Sequence, residues 1–262
     1  MRRTYENKWL AMQQGAERHL SECEIHSTAG SFCFWIGLPK GVTSHSLLVL
    51  AAEHGILIES GDTERLKKIL TRYELFKLSE DVPGDIIECG VFKGTAQIFW
   101  LKLLKIFDHN SPKKVIGFDT FGDFPKSTLA FEKKAAKEFQ RESKFNKKNI
   151  LNIINAKIKK AGLDNRSLLI KGDIIKTSKS YVKKNRGFRI SLLNLDLDTY
   201  EGTKHALKNF FPLVSKGGVI IFDEYGSRGW GESEAIDEFF KDTQYKIKKT
   251  EFGYKPTAYL IK

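Results

Sequence analysis

The chain has 262 residues, 41% of them hydrophobic and 29% charged, and carries a formal net charge of +12. This composition excludes a disordered chain, and the length suffices for one core of catalytic size. No run approaches the ~20 apolar residues of a membrane span, and the N-terminus lacks the apolar stretch of a secretory signal, so we expect a soluble protein.

The cysteines indicate the compartment. Cys23, Cys33 and Cys89 are odd in number and show no close pairing. Such a pattern indicates neither a disulfide framework nor a structural zinc site. We therefore expect a reducing, cytoplasmic environment.

The first part of the chain predicts an N-terminal appendage over residues 1–61, followed by the main domain over 62–262. A helix is predicted within the appendage at residues 44–58. Asp62 is a plausible N-cap for a second, amphipathic helix that packs on the domain. The apolar positions at helical spacing are Leu66, Ile69, Leu70, Tyr73 and Phe76.

Short apolar strands and helices alternate through the rest of the chain. Strands are predicted at residues 85–89, 115–119, 167–170, 190–196 and 218–223, with two further candidates at 245–247 and 258–261. Helices are predicted at residues 94–107, 200–211 and 233–240, with one or two basic helices in 131–162. This alternation predicts an α/β fold of Rossmann-like type, with a doubly wound, mostly parallel sheet and helices on both faces.

Acidic residues stand at or just past the ends of the five core strands, where such sheets bind ligands. Each one alone could be an ordinary helix cap. Together they would repel one another without a cationic or hydroxyl-rich ligand. The five residues are Glu88, Asp119, Asp173, Asp196 and Asp223.

The turn after the first core strand has two glycines, Gly90 and Gly94, which permit close backbone approach by a ligand. Glu88 precedes the first glycine by two residues. Its charge disfavours the diphosphate that dinucleotide folds bind here, and it suits a cationic ligand. S-adenosylmethionine brings both an ammonium and a sulfonium group.

Two further residues fit an adenosine ligand. Asp119 ends the second core strand, where a carboxylate can accept both ribose hydroxyls. Asp173 is placed for the adenine amino group, with Ile174 against the ring face. A helix N-cap is an equally good interpretation of Asp173.

Four carboxylates follow the fourth and fifth core strands: Asp196, Asp198, Asp223 and Glu224. Hard oxygen ligands of this kind suit Mg²⁺ or a similar divalent cation. A metal beside a hydroxyl lowers the pKa of that hydroxyl. The arrangement predicts methyl transfer from a sulfonium to an oxygen.

Four blocks together resemble the macrocin O-methyltransferase family over roughly residues 65–240. They are GDIIECGV at 84–91, GFDTF at 117–121, LDLDTYEGT at 195–203 and GGVIIFDEYG at 217–226. The resemblance implies a seven-stranded class I fold and S-adenosylmethionine- and metal-dependent O-methylation of a sugar. The acceptor would be a deoxysugar, a nucleotide-sugar or a glycan.

The resemblance also implies a set of site residues. Asp196 would lie near the methyl group and serve as the catalytic base. Mg²⁺ would be held by Asp196, Asp223 and Glu224. The cofactor would be bound by Glu88, Cys89, Gly90, Val91, Phe92, Gly94, Thr95, Asp119, Thr120, Phe121, Gly172, Asp173, Ile174 and Asp196.

Three positions depart from the family pattern. Glu224 stands where a second aspartate is usual, and Gly202 stands where a serine is common. The order of Gly122 and Asp123 is the reverse of the usual one. These departures leave the cofactor prediction intact and leave the acceptor open.

Two alternatives remain open. A methyltransferase of small phenols or catechols would share the acidic strand ends, but an apolar wall is then expected at the mouth of the site. A nucleic-acid-binding module would use the basic segment at 131–184, and the few aromatics there argue against base stacking. The expected partner is a sugar substrate and not a nucleic acid. A homo-oligomer is a further expectation. The loop at 225–231 is a candidate lid over the substrate.

Overall fold

The computed structural model describes Gln14, Arg18 and residues 23–26, 35–41, 63–125, 129–142, 149–253 and 255–262. The chain divides into two compact units, Met1–Leu66 and Lys67–Lys262. In the first unit, β1 (Glu24–His26) and β2 (Trp35–Gly37) form an antiparallel pair. The helix predicted at 44–58 lies outside the described residues, and the boundary at residue 61 stays a prediction.

The remaining elements alternate as the sequence predicts. The helices are α1 (Thr63–Leu78), α2 (Thr95–Phe107), α3 (Ala130–Glu142), α4 (Ile150–Lys160), α5 (Ile174–Lys184), α6 (Tyr200–Phe210) and α7 (Glu232–Phe240). The strands are β3 (Asp85–Cys89), β4 (Val115–Asp119), β5 (Ser167–Lys171), β6 (Ile190–Leu195), β7 (Val214–Phe222), β8 (Lys248–Lys249) and β9 (Ala258–Ile261). Among these helices, none is both long and apolar enough to cross a membrane.

The seven strands form one sheet in the order β5-β4-β3-β6-β7-β9-β8. The five from β5 to β7 are mutually parallel, and β9 runs antiparallel to both β7 and β8. This confirms the predicted seven-stranded, mostly parallel class I fold.

Two apolar layers cover the faces of the sheet. Successive strand residues point to opposite faces, so Ile86 packs in one layer and Ile87 in the other. Helices α1, α2 and α4 supply the first layer, and α5, α6 and α7 supply the second. Trp100 and Phe210 are fully buried in the two layers, and burying a large apolar side chain contributes about 1.5–3 kcal/mol.

Two strand predictions differ from the structure. Strand β7 begins at Val214, four residues before the predicted start, although its first part contains Ser215, Lys216 and Gly217. The strand predicted at 245–247 is found instead as the exposed pair Lys248–Lys249. In both places the strand is formed by backbone hydrogen bonds, which do not require the apolar side chains that a sequence pattern detects.

Candidate active site

The carboxyl ends of β3, β6 and β7 lie level with one another. Cys89 pairs with Leu195, and Leu195 pairs with Phe222. Asp196 and Asp223 therefore follow neighbouring strands at the same edge of the sheet. A cavity of about 300 Å³ opens at this edge.

The turn after β3 is held against the end of β6. The backbone N–H of Asp196 donates to the carbonyl of Cys89 at 2.8 Å. Gly90 has a φ of +93°, and a Cβ there would lie 1.8 Å from the carbonyl oxygen of Asp196. Only glycine fits this position. Glycine is required here by the carbonyl group of Asp196, which belongs to this chain. The sequence pattern predicted instead the close approach of a ligand.

Asp119 ties the turn after β3 to the loop after β4. Its Oδ2 accepts the backbone N–H groups of Val91 at 2.8 Å and Phe92 at 2.9 Å. Its Oδ1 accepts the N–H of Phe121 at 2.6 Å. Phe92 and Phe121 have φ angles of 50° and 48°, a region that bulky residues adopt only when the surrounding structure holds them there. The Asp119 carboxylate supplies that constraint at the wall of the cavity.

Glu88 lies beneath the turn and is fully buried. Its Oε2 accepts hydrogen bonds from Nε1 of Trp100 at 2.6 Å and Nδ2 of Asn194 at 3.1 Å. Its Oε1 has no hydrogen-bond partner among the described residues. Burial raises the pKa of Glu88 to about 8, although the nearby Arg72 lowers it. Glu88 does not line the cavity, so its contact with a cofactor stays a prediction.

Asp173 is the N-cap of α5. Its Oδ1 accepts the N–H of Ile175 at 3.0 Å. The helix-cap interpretation of Asp173 is thus what the structure shows, and a contact with adenine stays a prediction.

The predicted cofactor residues divide into two sets by position. Those that line the cavity are Gly90, Phe92, Asp119, Thr120, Gly172, Ile174 and Asp196. The others lie at the end of β3, in the same turns or at helix starts, and are Glu88, Cys89, Val91, Gly94, Thr95, Phe121 and Asp173. The two sets are linked, since Asp119 of the first set accepts the backbone N–H groups of Val91 and Phe121 of the second.

The four acidic residues after β6 and β7, which we call the carboxylate cluster, all line the cavity: Asp196, Asp198, Asp223 and Glu224. Burial and the neighbouring Asp223 raise the pKa of Asp196 to about 7. Burial, Asp196 and Glu224 raise the pKa of Asp198. Burial is the main cause of both shifts, and repulsion among the neighbouring carboxylates adds to it.

Three basic side chains reach the carboxylate cluster, and we call them the cation triad: Lys68, Arg72 and Lys255. Nζ of Lys68 lies 3.3 Å from Oδ2 of Asp223. Nη2 of Arg72 lies 3.5 Å from Oδ1 of Asp223 and 3.6 Å from Oδ2 of Asp196. Lys255 forms an ion pair with Glu224. Asp196 and Asp223 therefore converge on one guanidinium nitrogen.

The predicted magnesium ligands do not form a metal site in this arrangement. Nowhere in the described part of the chain do three acidic, histidine or cysteine side chains converge as metal ligands would. Both oxygens of Asp223 face basic groups, and Glu224 faces Lys255. The donor atoms are of the right chemical type, but their present partners are the ammonium and guanidinium groups of this chain.

The site also contains a buried acid that the sequence analysis did not identify. Glu232, at the start of α7, is fully buried, and its Oε1 accepts the N–H of Glu224 at 3.0 Å. Burial raises its pKa well above the ordinary value. No local pattern identifies Glu232 or Lys255, whereas the spacing of Lys68 and Arg72 places both on one face of α1.

A row of aromatic rings runs along the cavity. Phe92 lies 5.6 Å from Phe139, and Phe139 lies 5.7 Å from Phe124. Phe124 stacks on Trp230 at 5.4 Å. A second cavity of about 330 Å³ adjoins the first, with which it shares the lining residues Phe124, Pro125, Gln140 and Thr199.

Comparison with known proteins adds a family model and individual relatives. The model described as macrocin-O-methyltransferase (TylF) matches residues 61–251. The chain is 28% identical over 152 residues to the 8-demethyl-8-(2,3-dimethoxy-alpha-L-rhamnosyl)-tetracenomycin-C 4'-O-methyltransferase of Streptomyces olivaceus, covering 56% of this chain and 55% of that protein. It is 29% identical over 151 residues to the mycinamicin III 3''-O-methyltransferase of Micromonospora griseorubida, covering 56% of this chain and 58% of that protein.

The chain thus spans little more than half the length of these curated relatives. Among solved structures, the calicheamicin methyltransferase CalS11 superposes with a TM-score of 0.63 at 23% identity, covering 85% of this chain and 86% of that one. This likeness concerns the fold.

Proposed function

Because the chain belongs to the macrocin-O-methyltransferase family, we propose that it transfers a methyl group from S-adenosylmethionine to a sugar hydroxyl. The observation that carries the proposal is the cavity at the carboxyl ends of the strands. It places the carboxylate cluster beside the turn and loop that Asp119 ties together.

The residues around the cavity suit this cofactor. Gly90, Phe92, Gly172 and Ile174 offer backbone and apolar surface, and Asp119 offers a carboxylate for ribose hydroxyls. The excess of negative charge at the carboxylate cluster favours a cationic ligand. When bound, S-adenosylmethionine would supply an electrophilic methyl group.

Asp196 is the proposed base. It lines the cavity, and with its pKa raised to about 7 a large fraction of it is ionised at neutral pH. A base with a pKa near the working pH combines availability with the strength to accept a proton. In this proposal Asp196 accepts the hydroxyl proton as the oxygen gains the methyl group.

The acceptor we propose is a deoxysugar joined to a larger group, such as a glycoside or a nucleotide-sugar. One similar protein is named for a rhamnosyl-bearing tetracenomycin, which supports a sugar that carries a bulky partner. The adjoining second cavity offers room for that partner. Lys133 and Lys137 line it and would suit an anionic group there.

The magnesium part of the sequence prediction is not carried into this proposal, since the predicted ligands already pair with the cation triad. A cytoplasmic location, which rests on the cysteine pattern, and a homo-oligomer both stay predictions.

A small phenol is the second candidate acceptor. An apolar wall is expected for such an acceptor, and Phe92, Phe139 and Phe124 form one along the cavity, with Trp230 stacked on Phe124. Leu197 adds apolar surface to the cavity. A planar ring would pack well against these side chains.

The test is methyl transfer from methyl-labelled S-adenosylmethionine to a panel of acceptors. The panel contains nucleotide-linked deoxysugars, rhamnosylated aromatic glycosides, free rhamnose and catechol. We expect label on a sugar oxygen, located by fragmentation in the mass spectrometer. Label on catechol alone would support the second candidate, and no transfer to any member despite cofactor binding would contradict both.

A further inference from the structure

The cation triad occupies the place where the sequence predicts a divalent metal. Lys68 and Arg72 come from α1, one turn apart, and approach the two oxygens of Asp223 from one element. Lys255 lies in the segment between β8 and β9 and reaches Glu224 from another part of the chain. Every predicted metal ligand therefore has a basic partner within the chain.

Two of the carboxylates and the guanidinium are enclosed, while the side chains of Lys68 and Lys255 are 28% and 41% exposed. The side chains of Asp223, Glu224 and Arg72 are 2%, 4% and 7% exposed. A buried carboxylate needs a partner, and removing one member of a buried pair leaves an uncompensated charge. The triad thus supplies part of the positive charge that a metal would otherwise bring to Asp196, Asp223 and Glu224.

A divalent cation would also meet repulsion here. To bind Asp196 and Asp223 together, it would have to displace the Arg72 nitrogen that lies within 3.6 Å of both carboxylates. The ammonium of Lys68, held 3.3 Å from Asp223, would remain beside it. Like charges at such distances oppose each other strongly in a partly buried site.

We infer that Lys68, Arg72 and Lys255 take the role of the divalent cation, so that this chain organises its carboxylates and transfers methyl groups without a bound metal. The inference rests on the proposed function for the reaction itself. Arg72 is a positioning residue that holds Asp196 toward the cavity. Lys68 lines the cavity and provides positive charge beside the acceptor oxygen.

The first test is metal binding, which needs no activity. The whole chain is stripped with EDTA, dialysed and titrated with Mg²⁺ by calorimetry and with Mn²⁺ by electron paramagnetic resonance. We expect no saturable binding up to about 1 mM, the weak end of protein cation sites. Saturable binding that disappears in Asp223→Asn would overturn the inference.

The second test uses variants of Lys68, whose side chain is 28% exposed and whose replacement should leave the fold intact. Lys68→Met should lower turnover at least tenfold, and Lys68→Arg should restore most of it, because the charge is what matters. Lys67→Met is the matched control on the same helix. Unchanged turnover in Lys68→Met, or turnover that EDTA lowers tenfold and Mg²⁺ restores, would contradict the inference.

The two proposals can fail separately. If no acceptor is methylated, the proposed function fails, while the metal titration still gives its answer. If Mg²⁺ binds and is required, the proposed function stands and only the metal-free inference is lost.

Discussion

The two halves of the site are held together by different kinds of interaction. On the side of β3 and β4, the turn at Gly90 and the loop at Phe121 are fixed by backbone hydrogen bonds to Asp119 and by close backbone packing. On the side of β6 and β7, the carboxylate cluster is held by charged side chains of Lys68, Arg72 and Lys255. We call the first half, around Gly90, Asp119 and Phe121, the frame. We call the second half, in which the cation triad faces the carboxylate cluster, the charge balance.

This difference determines how each half should respond to change. Substitutions in the frame should loosen a binding surface, while substitutions in the charge balance should alter chemistry and pH dependence. Variants of Asp196, Glu88, Asp119 and Phe139 separate these two responses.

Asp196→Asn should have the largest effect, because it removes the proposed base and keeps the shape of the side chain. We expect turnover to fall by about 10²–10⁴-fold, the usual contribution of general base catalysis. Cofactor affinity, measured by calorimetry, should fall far less than turnover. Turnover within threefold of the unmodified chain, about 0.65 kcal/mol in the barrier, would show that Asp196 is not the base.

Glu88→Gln should remove a pH dependence of stability. The pKa of Glu88 is about 8 in the folded protein against an ordinary value of 4.5, so the folded state binds more protons between these values. The free energy of unfolding should therefore fall as pH rises through this window, by at most about 1.4 kcal/mol per pH unit, and stay low above it.

The measurement is chemical denaturation of the unmodified chain and Glu88→Gln at a series of pH values. The free energy of unfolding of the unmodified chain, relative to that of Glu88→Gln, should be highest at the acidic end of the window. It should fall as pH rises through the window. Glu234→Gln, on an exposed position of α7, is the control. A difference that does not vary with pH would mean that Glu88 is ionised when folded.

The contrast between the halves also explains what could be predicted from the sequence. The strands β3, β4 and β9 were predicted with their observed ends, because apolar runs bounded by polar residues are local signals. The strand-end position of Asp119, Asp196 and Asp223 followed from the same signals. Strand β8 was missed because its two residues, Lys248 and Lys249, are exposed and join the sheet through the backbone.

The charge balance was not predictable in the same way. Lys68 and Asp223 are 155 positions apart, and Arg72 and Asp223 are 151 apart. Only the apolar stripe of α1 entered the sequence prediction, although Lys68 and Arg72 lie four residues apart and therefore share one face of this helix. Pairing across such separations depends on the complete fold, and no local pattern records it.

Asp119→Ala tests the frame. It removes the acceptor for the N–H groups of Val91, Phe92 and Phe121, and an unpaired donor of this kind costs about 1–3 kcal/mol. We expect cofactor affinity to fall at least about tenfold by calorimetry. Asp242→Ala, at an exposed position, should leave it unchanged. Equal affinities in the two variants would show that the hydrogen bonds of Asp119 do not maintain the cofactor site.

Phe139→Ala should have the smallest effect, because it shortens the aromatic row but removes neither a hydrogen bond of Asp119 nor a charge of the carboxylate cluster. An aromatic contact is worth about 0.5–1.5 kcal/mol, so KM for the acceptor should rise about 2–10-fold while cofactor affinity is kept. Phe131→Ala, an exposed phenylalanine on the same helix, is the control. A loss of cofactor affinity in Phe139→Ala would assign the row to the cofactor instead.

Calorimetric titration of the unmodified chain with S-adenosylmethionine tests most directly whether frame and carboxylate cluster form one site. We expect saturable binding of one molecule per chain, with a Kd between about 1 µM and 1 mM, and weaker binding in Asp119→Ala. Heat that never saturates, or equal binding in Asp119→Ala, would contradict it.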